Sequence, residues 1–124
     1  MSHQPYLTWI EKQQSDMQQM VTDWANINSG SRNLAGLATI HQAMAEAFKC
    51  LGGEMSSLTL PPVEQIGDDG AVQQFESGQA LQIIKRPEAK KRILLCGHMD
   101  TVFPADGPFQ SCHLLDDDTL NGPG

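Results

Sequence analysis

The stretch Arg92-Ile93-Leu94-Leu95-Cys96-Gly97-His98-Met99-Asp100-Thr101-Val102-Phe103 decides how the chain is read. Ile93 to Cys96 has the apolar character of a buried strand, and Gly97 closes it. A histidine and an aspartate then follow, two residues apart. Side chains at i and i+2 of an extended chain lie on one side, so His98 and Asp100 are expected to project together. Their place is the C-terminal end of the strand, where open α/β sheets put their ligands. An imidazole beside a carboxylate gives a metal site a neutral nitrogen ligand and a group to orient it.

Gly97 to Phe103, followed by Asp118-Thr119-Leu120-Asn121-Gly122-Pro123-Gly124, resembles the M20 family of zinc metallopeptidases, in particular its glutamate carboxypeptidase (carboxypeptidase G2-like) branch. Asn26-Ile27-Asn28-Ser29-Gly30-Ser31, with Asn33 and Gly36 after it, is similar to the family's helix-to-helix turn. The similarity runs from about Trp24 to the last residue, and its His-x-Asp segment is the specific part. The resemblance implies a catalytic α/β domain around two zinc ions that hydrolyses amide bonds next to a free carboxylate. It implies His98 as a zinc ligand and Asp100 as a catalytic support residue rather than a ligand. The substrate class it implies is a small peptide or an N-acyl amino acid.

In the family, an aspartate bridging the two zincs follows the Gly-Pro-Gly turn. A pair of glutamates, a further acidic ligand and a final histidine come later, and none of these lies within residues 1–124. The expectation is therefore the N-terminal portion of an M20-like catalytic domain, inactive by itself. Its fold is expected to be α/β: two N-terminal helices packed on a mixed β-sheet that is incomplete.

A chain of 124 residues suits one small domain, which when complete buries about two-thirds of its extended-chain surface. The net charge of −7 argues against general affinity for nucleic acid or an anionic membrane. Lys85, Arg86, Lys90, Lys91 and Arg92 do cluster. No aromatic residues interleave them, so they read as a solvated loop beside a strand rather than a phosphate site. No stretch approaches the ~20 apolar residues of a membrane span. Met1 to Tyr6 lacks a basic region followed by an apolar run, so no secretory leader is expected. Cys50, Cys96 and Cys112 are odd in number and widely spaced, which makes no disulfide framework. A reducing cytoplasm is the simplest compartment.

Along the chain, Tyr6, Leu7, Ile10, Met17, Met20, Val21, Trp24 and Ile27 recur at helical spacing and predict an amphipathic helix with one buried stripe. Asn28 to Ser31 breaks it, and Ser31 or Asn33 can cap the next helix. That helix carries Leu34, Leu37, Ile40, Met44, Ala47, Phe48 and Leu51 on one face and stops at Gly52-Gly53. Cys50 reads as a small buried apolar group. His41, alone on the helix, stays outside the site. Glu54 to Leu60 predicts a short strand ending at Pro61-Pro62. Asp68-Asp69-Gly70 is a turn, Ala71 to Glu76 a weak strand, and Ala80 to Ile84 a strand paired antiparallel with Arg92 to Gly97.

The same residues admit other readings. Cys96, His98, Cys112 and His113 have the donor types for zinc, but their spacing matches no usual finger pattern. Asp116-Asp117-Asp118 lacks the alternation of a calcium loop and reads as an exposed turn between two hairpin strands. Gly97 is expected to let the backbone turn close to the metal without a Cβ. Phe103 either lines the substrate opening or packs under its loop. In a different functional class, the chain reads as a non-catalytic remnant or interaction module assembling through its amphipathic helices. Strand edges without partners lead to an expectation of dimerisation or aggregation.

Overall fold

The computed structural model describes residues 2–123. Two helices open the chain: α1 (Gln4–Lys12) and α2 (Gln14–Ala25). Pro5 lies in the first turn of α1, where a missing N–H leaves no hydrogen bond unmade. The expected single helix is interrupted only at Gln13, whose N–H donates to the Ile10 carbonyl at 2.9 Å instead of one residue further back. Its φ of −90° and ψ of 0° stay right-handed, so this is a tightened turn rather than a break.

The next helix, α3 (Leu34–Phe48), begins where the side chain of Asn33 accepts the Gly36 N–H at 3.1 Å. Of the two expected capping candidates, Asn33 takes the role. A 3-10 turn (Lys49–Leu51) tightens the end, and Gly52 terminates it at φ 59°, a left-handed conformation that costs glycine little.

The strands form antiparallel pairs. β1 (Glu54–Thr59) pairs with β4 (Gln79–Ile84), and β2 (Val63–Ile66) pairs with β3 (Val72–Phe75) inside that larger hairpin. The β2–β3 turn is Asp68-Asp69-Gly70, with Gly70 at φ 78° and Asp69 accepting the Ala71 N–H at 3.0 Å. A last short pair, β5 (His113–Leu114) and β6 (Leu120–Asn121), flanks the Asp116–Asp118 turn as expected. Chain class is therefore mixed α and β, with three helices and small antiparallel sheets among the described residues.

Two expectations about the sheet are corrected. Instead of one mixed sheet there are separate two-stranded ladders, and the only parallel element among the described residues is an isolated bridge, Gly30 to Thr101. Arg92 to Gly97 is not a strand, and β4 takes β1 as its neighbour instead. Lys85 to Arg92 forms a loop that turns at Arg86 (φ 52°) and ties Arg92 to the Pro87 carbonyl at 3.0 Å, so it does not lay the following run along β4. Ile93, Leu94 and Leu95 are 87%, 87% and 90% exposed. A strand is stabilised by its neighbours, and this run has none among the described residues.

Burial is thin throughout. Ala25, Leu37, Ile40 and Pro123 are the buried apolar side chains among the described residues. The expected buried stripe on the first helices is corrected: Tyr6, Leu7, Ile10, Met17, Met20 and Val21 are exposed, and of that stripe only Trp24 and Ile27, on either side of the buried Ala25, are half-buried. Cys50 is exposed too, its thiol donating to the Ala47 carbonyl at 3.2 Å. The chain exposes 10095 Å², against roughly 6,600 Å² for a folded monomer of its mass. No helix among the described residues is long and apolar enough to cross a membrane.

Candidate metal site

A short loop between α2 and α3 builds the site's foundation. Asn28 Oδ1 accepts the Gly30 N–H at 3.2 Å and the Asn33 side-chain amide at 3.0 Å. The Asn28 amide donates to the Phe103 carbonyl at 3.2 Å and to Gln110 Oε1 at 2.9 Å. Gln110 in turn donates to the carbonyls of Pro104 and Gly107 at 2.8 and 2.9 Å. One asparagine thus joins the helix turn to a loop more than seventy residues later. The parallel bridge adds backbone bonds: Thr101 N–H to the Ser29 carbonyl at 2.9 Å, and Ser31 N–H to the Thr101 carbonyl at 3.1 Å. Glycine is required at two contacts. A β-carbon on Gly30 would overlap the Phe103 carbonyl, and one on Gly36 would overlap that of Asn28.

His98 and Asp100 stand directly before this bridge. The His98 Nδ1 lies 2.8 Å from the Asp100 carbonyl oxygen and 3.2 Å from Asp100 Oδ1. The other carboxylate oxygen, Oδ2, accepts a hydrogen bond from Ser31 Oγ at 2.6 Å. The expected pair therefore meets, but through a local turn and a loop contact rather than at a strand end. The His98 side chain is 85% exposed and that of Asp100 45%. Asp100 is held below the ordinary aspartate value chiefly by the Ser31 hydroxyl, with His98 adding to it and partial burial opposing.

Both oxygen partners of Nδ1 are acceptors, which puts the proton on Nδ1 and leaves the Nε2 lone pair available. Nε2 makes no hydrogen bond among the described residues. This is the arrangement in which metal-bound histidines are found: one nitrogen to the ion, the other donating to a carboxylate or carbonyl. The donor chemistry thus fits zinc at one position. No third histidine, cysteine, aspartate or glutamate gathers with these two among the described residues. The four-donor alternative is not assembled either, since Cys96 lies in the exposed run while Cys112 packs against Gly122 and hydrogen-bonds Asn26 through its backbone.

Behind the pair, a groove of about 450 Å³ runs between α2, α3 and residues 98–103, lined mainly by apolar side chains such as Trp24, Ile40, Met44 and Phe103. Phe103 also packs edge-on against Phe109, ring centres 5.1 Å apart, so it packs within its loop as one of its two expected placements has it. Nothing among the described residues lies within 4 Å of where a β-carbon on Gly97 would be. Gly124, the last residue of the Gly-Pro-Gly turn, lies outside the described residues.

Sequence reasoning missed Ser31 and Asn28 as site residues. Their signal was the run of short hydrogen-bonding side chains from Asn26 to Asn33, read there only as turn and cap chemistry. Comparison with protein-family models, with curated proteins and with solved structures gives no match.

Proposed function

We propose that this chain contributes the first zinc ligand, His98, and its supporting acid, Asp100, to an M20-like, carboxypeptidase G2-like metallohydrolase. The reaction is cleavage of a peptide or amide bond in a small peptide or N-acyl amino acid, of carboxypeptidase or N-acyl amino acid hydrolase type, in the cytoplasm. The observation that carries the proposal is His98 Nδ1 held by Asp100 while Nε2 has no hydrogen-bond partner among the described residues. Two zinc ions bound there would supply a polarised carbonyl and a water of lowered pKa. From its own residues, the chain orients the imidazole, anchors the acid that orients it, and offers an apolar groove beside both.

A single imidazole does not hold zinc with useful affinity, since catalytic sites use three protein ligands. The reading therefore takes residues 1–124 as the N-terminal portion of the catalytic domain, with the remaining ligands and the general base supplied by further polypeptide. The excess of exposed surface and the bare Ile93–Leu95 run support it, because both describe a chain awaiting elements that cover them.

The test is hydrolysis of dipeptides and N-acyl amino acids, with zinc added. The 124-residue chain alone is expected to show no turnover, and the polypeptide extended past Gly124 to show turnover that a chelator abolishes. Zinc-dependent turnover by the short chain contradicts the proposal, as does an inactive extended protein. The latter favours the second reading, an interaction module assembling as a homodimer, which the exposed Tyr6, Trp9 and Ile10 on α1 support.

A further inference from the structure

We infer that Ser31 is a positioning residue whose hydroxyl locks the Asp100 carboxylate, so that His98 carries its proton on Nδ1 and presents the Nε2 lone pair. The inference rests on the proposed function only for what Nε2 meets; the tautomer itself belongs to this chain.

Three observations carry it. First, little covers the imidazole: the side chain is 85% exposed and Ile93 to Cys96 before it has no strand partner among the described residues. Its orientation must therefore come from Asp100. Second, Asp100 is itself half-exposed, and a carboxylate on such a side chain rotates in a broad, two-fold well unless one oxygen is fixed. Ser31 Oγ, 2.6 Å from Oδ2, fixes it and turns Oδ1 toward Nδ1. Third, the donor is already in place. Ser31 N–H is bonded to the Thr101 carbonyl, and the Asn33 N–H to the Gly30 carbonyl at 2.7 Å closes the turn around it. The hydroxyl also lies 3.3 Å from the Thr101 carbonyl, but the shorter bond to a charged acceptor is the stronger. Residues 69 positions apart thus form a relay, Ser31 to Asp100 to His98.

The alternative is that the Asp100 backbone carbonyl, 2.8 Å from Nδ1, holds the tautomer unaided. Two-bond proton–nitrogen NMR correlations of the 15N-labelled, metal-free 124-residue chain, at a pH where the imidazole is neutral, separate the two. His98→Gln identifies the His98 signals. The wild type is expected to show Nδ1 protonated and Nε2 bare. In Ser31→Ala that preference is lost and the Nε2–H form typical of a free imidazole gains, while Ser31→Thr, which keeps the hydroxyl, restores it. Slow exchange of the Thr101 amide in all three shows that the parallel bridge persists. An unchanged tautomer in Ser31→Ala overturns the inference, as does loss of Thr101 protection together with the tautomer, which makes the role structural. Zinc content of the extended protein tests the ligand reading separately, so either can fail while the other stands.

Discussion

Gly36, in the first turn of α3, rests directly against the carbonyl oxygen of Asn28, with no space for a β-carbon between them. That contact seats the start of α3 on the residue that also reaches Phe103 and Gln110. Gly36→Ala gains about 1 kcal/mol in helix propensity, but overlap with backbone costs roughly 2–3 kcal/mol, so the variant is expected to be less stable. Gly97→Ala, in open space, is expected to change stability by less than about 0.5 kcal/mol. Urea unfolding midpoints check both; equal midpoints for the two variants contradict the packing described.

Asn33 accepts the Gly36 N–H and donates twice to Asn28. Asn33→Ala removes the cap and frees Asn28 to leave the Asn28–Gln110 bridge. A loss of about 1–2 kcal/mol is expected, at the upper end for an N-cap because the loop goes with it. Asn33→Asp, which keeps the capping oxygen, recovers part of this. A neutral Asn33→Ala variant in the same unfolding assay contradicts the assignment.

Asp100 titrates below the ordinary aspartate range mainly because the Ser31 hydroxyl donates to its ionised form. The folded value being lower than the unfolded one, the contribution to stability is full above the unfolded value and is lost as pH falls through the folded one. The window therefore opens near pH 4 and extends downward. In Ser31→Ala the carboxyl titration, followed by 13C NMR, is expected to move up toward the ordinary value. A curve that coincides with wild type shows that the hydroxyl is not the cause.

Ile93, Leu94 and Leu95 contribute no folding energy while they face water, yet they form an apolar run that pairs readily with another chain. Ile93→Lys with Leu95→Lys is expected to leave the unfolding midpoint unchanged and to reduce concentration-dependent association. Light scattering across a dilution series measures this. Association that persists at wild-type strength places the sticky surface elsewhere, with exposed α1 the next candidate.

Much of the local structure was legible in the sequence, because it depends on neighbours in the chain. Asn33 as a cap, Gly52 as a stop and the Asp116–Asp118 turn follow from backbone chemistry within a few residues. Pairing was not legible. Glu54–Thr59 and Arg92–Gly97 both offer β4 an apolar edge, and only the loop at Arg86 decides which is taken. β2 escaped notice because Val63-Glu64-Gln65-Ile66 is half polar and follows two prolines. At the site, His98 and Asp100 were legible because they are two residues apart. Ser31 was not, since a hydroxyl's partner across 69 residues leaves no mark on the local pattern.

The central claim is that the His98 imidazole binds zinc. Elemental analysis of the protein extended past Gly124, beside its His98→Ala variant, tests it most directly. The account predicts that zinc content and hydrolysis fall together in the variant, while the circular dichroism of the fold is kept. A His98→Ala protein that retains its full complement of zinc contradicts it.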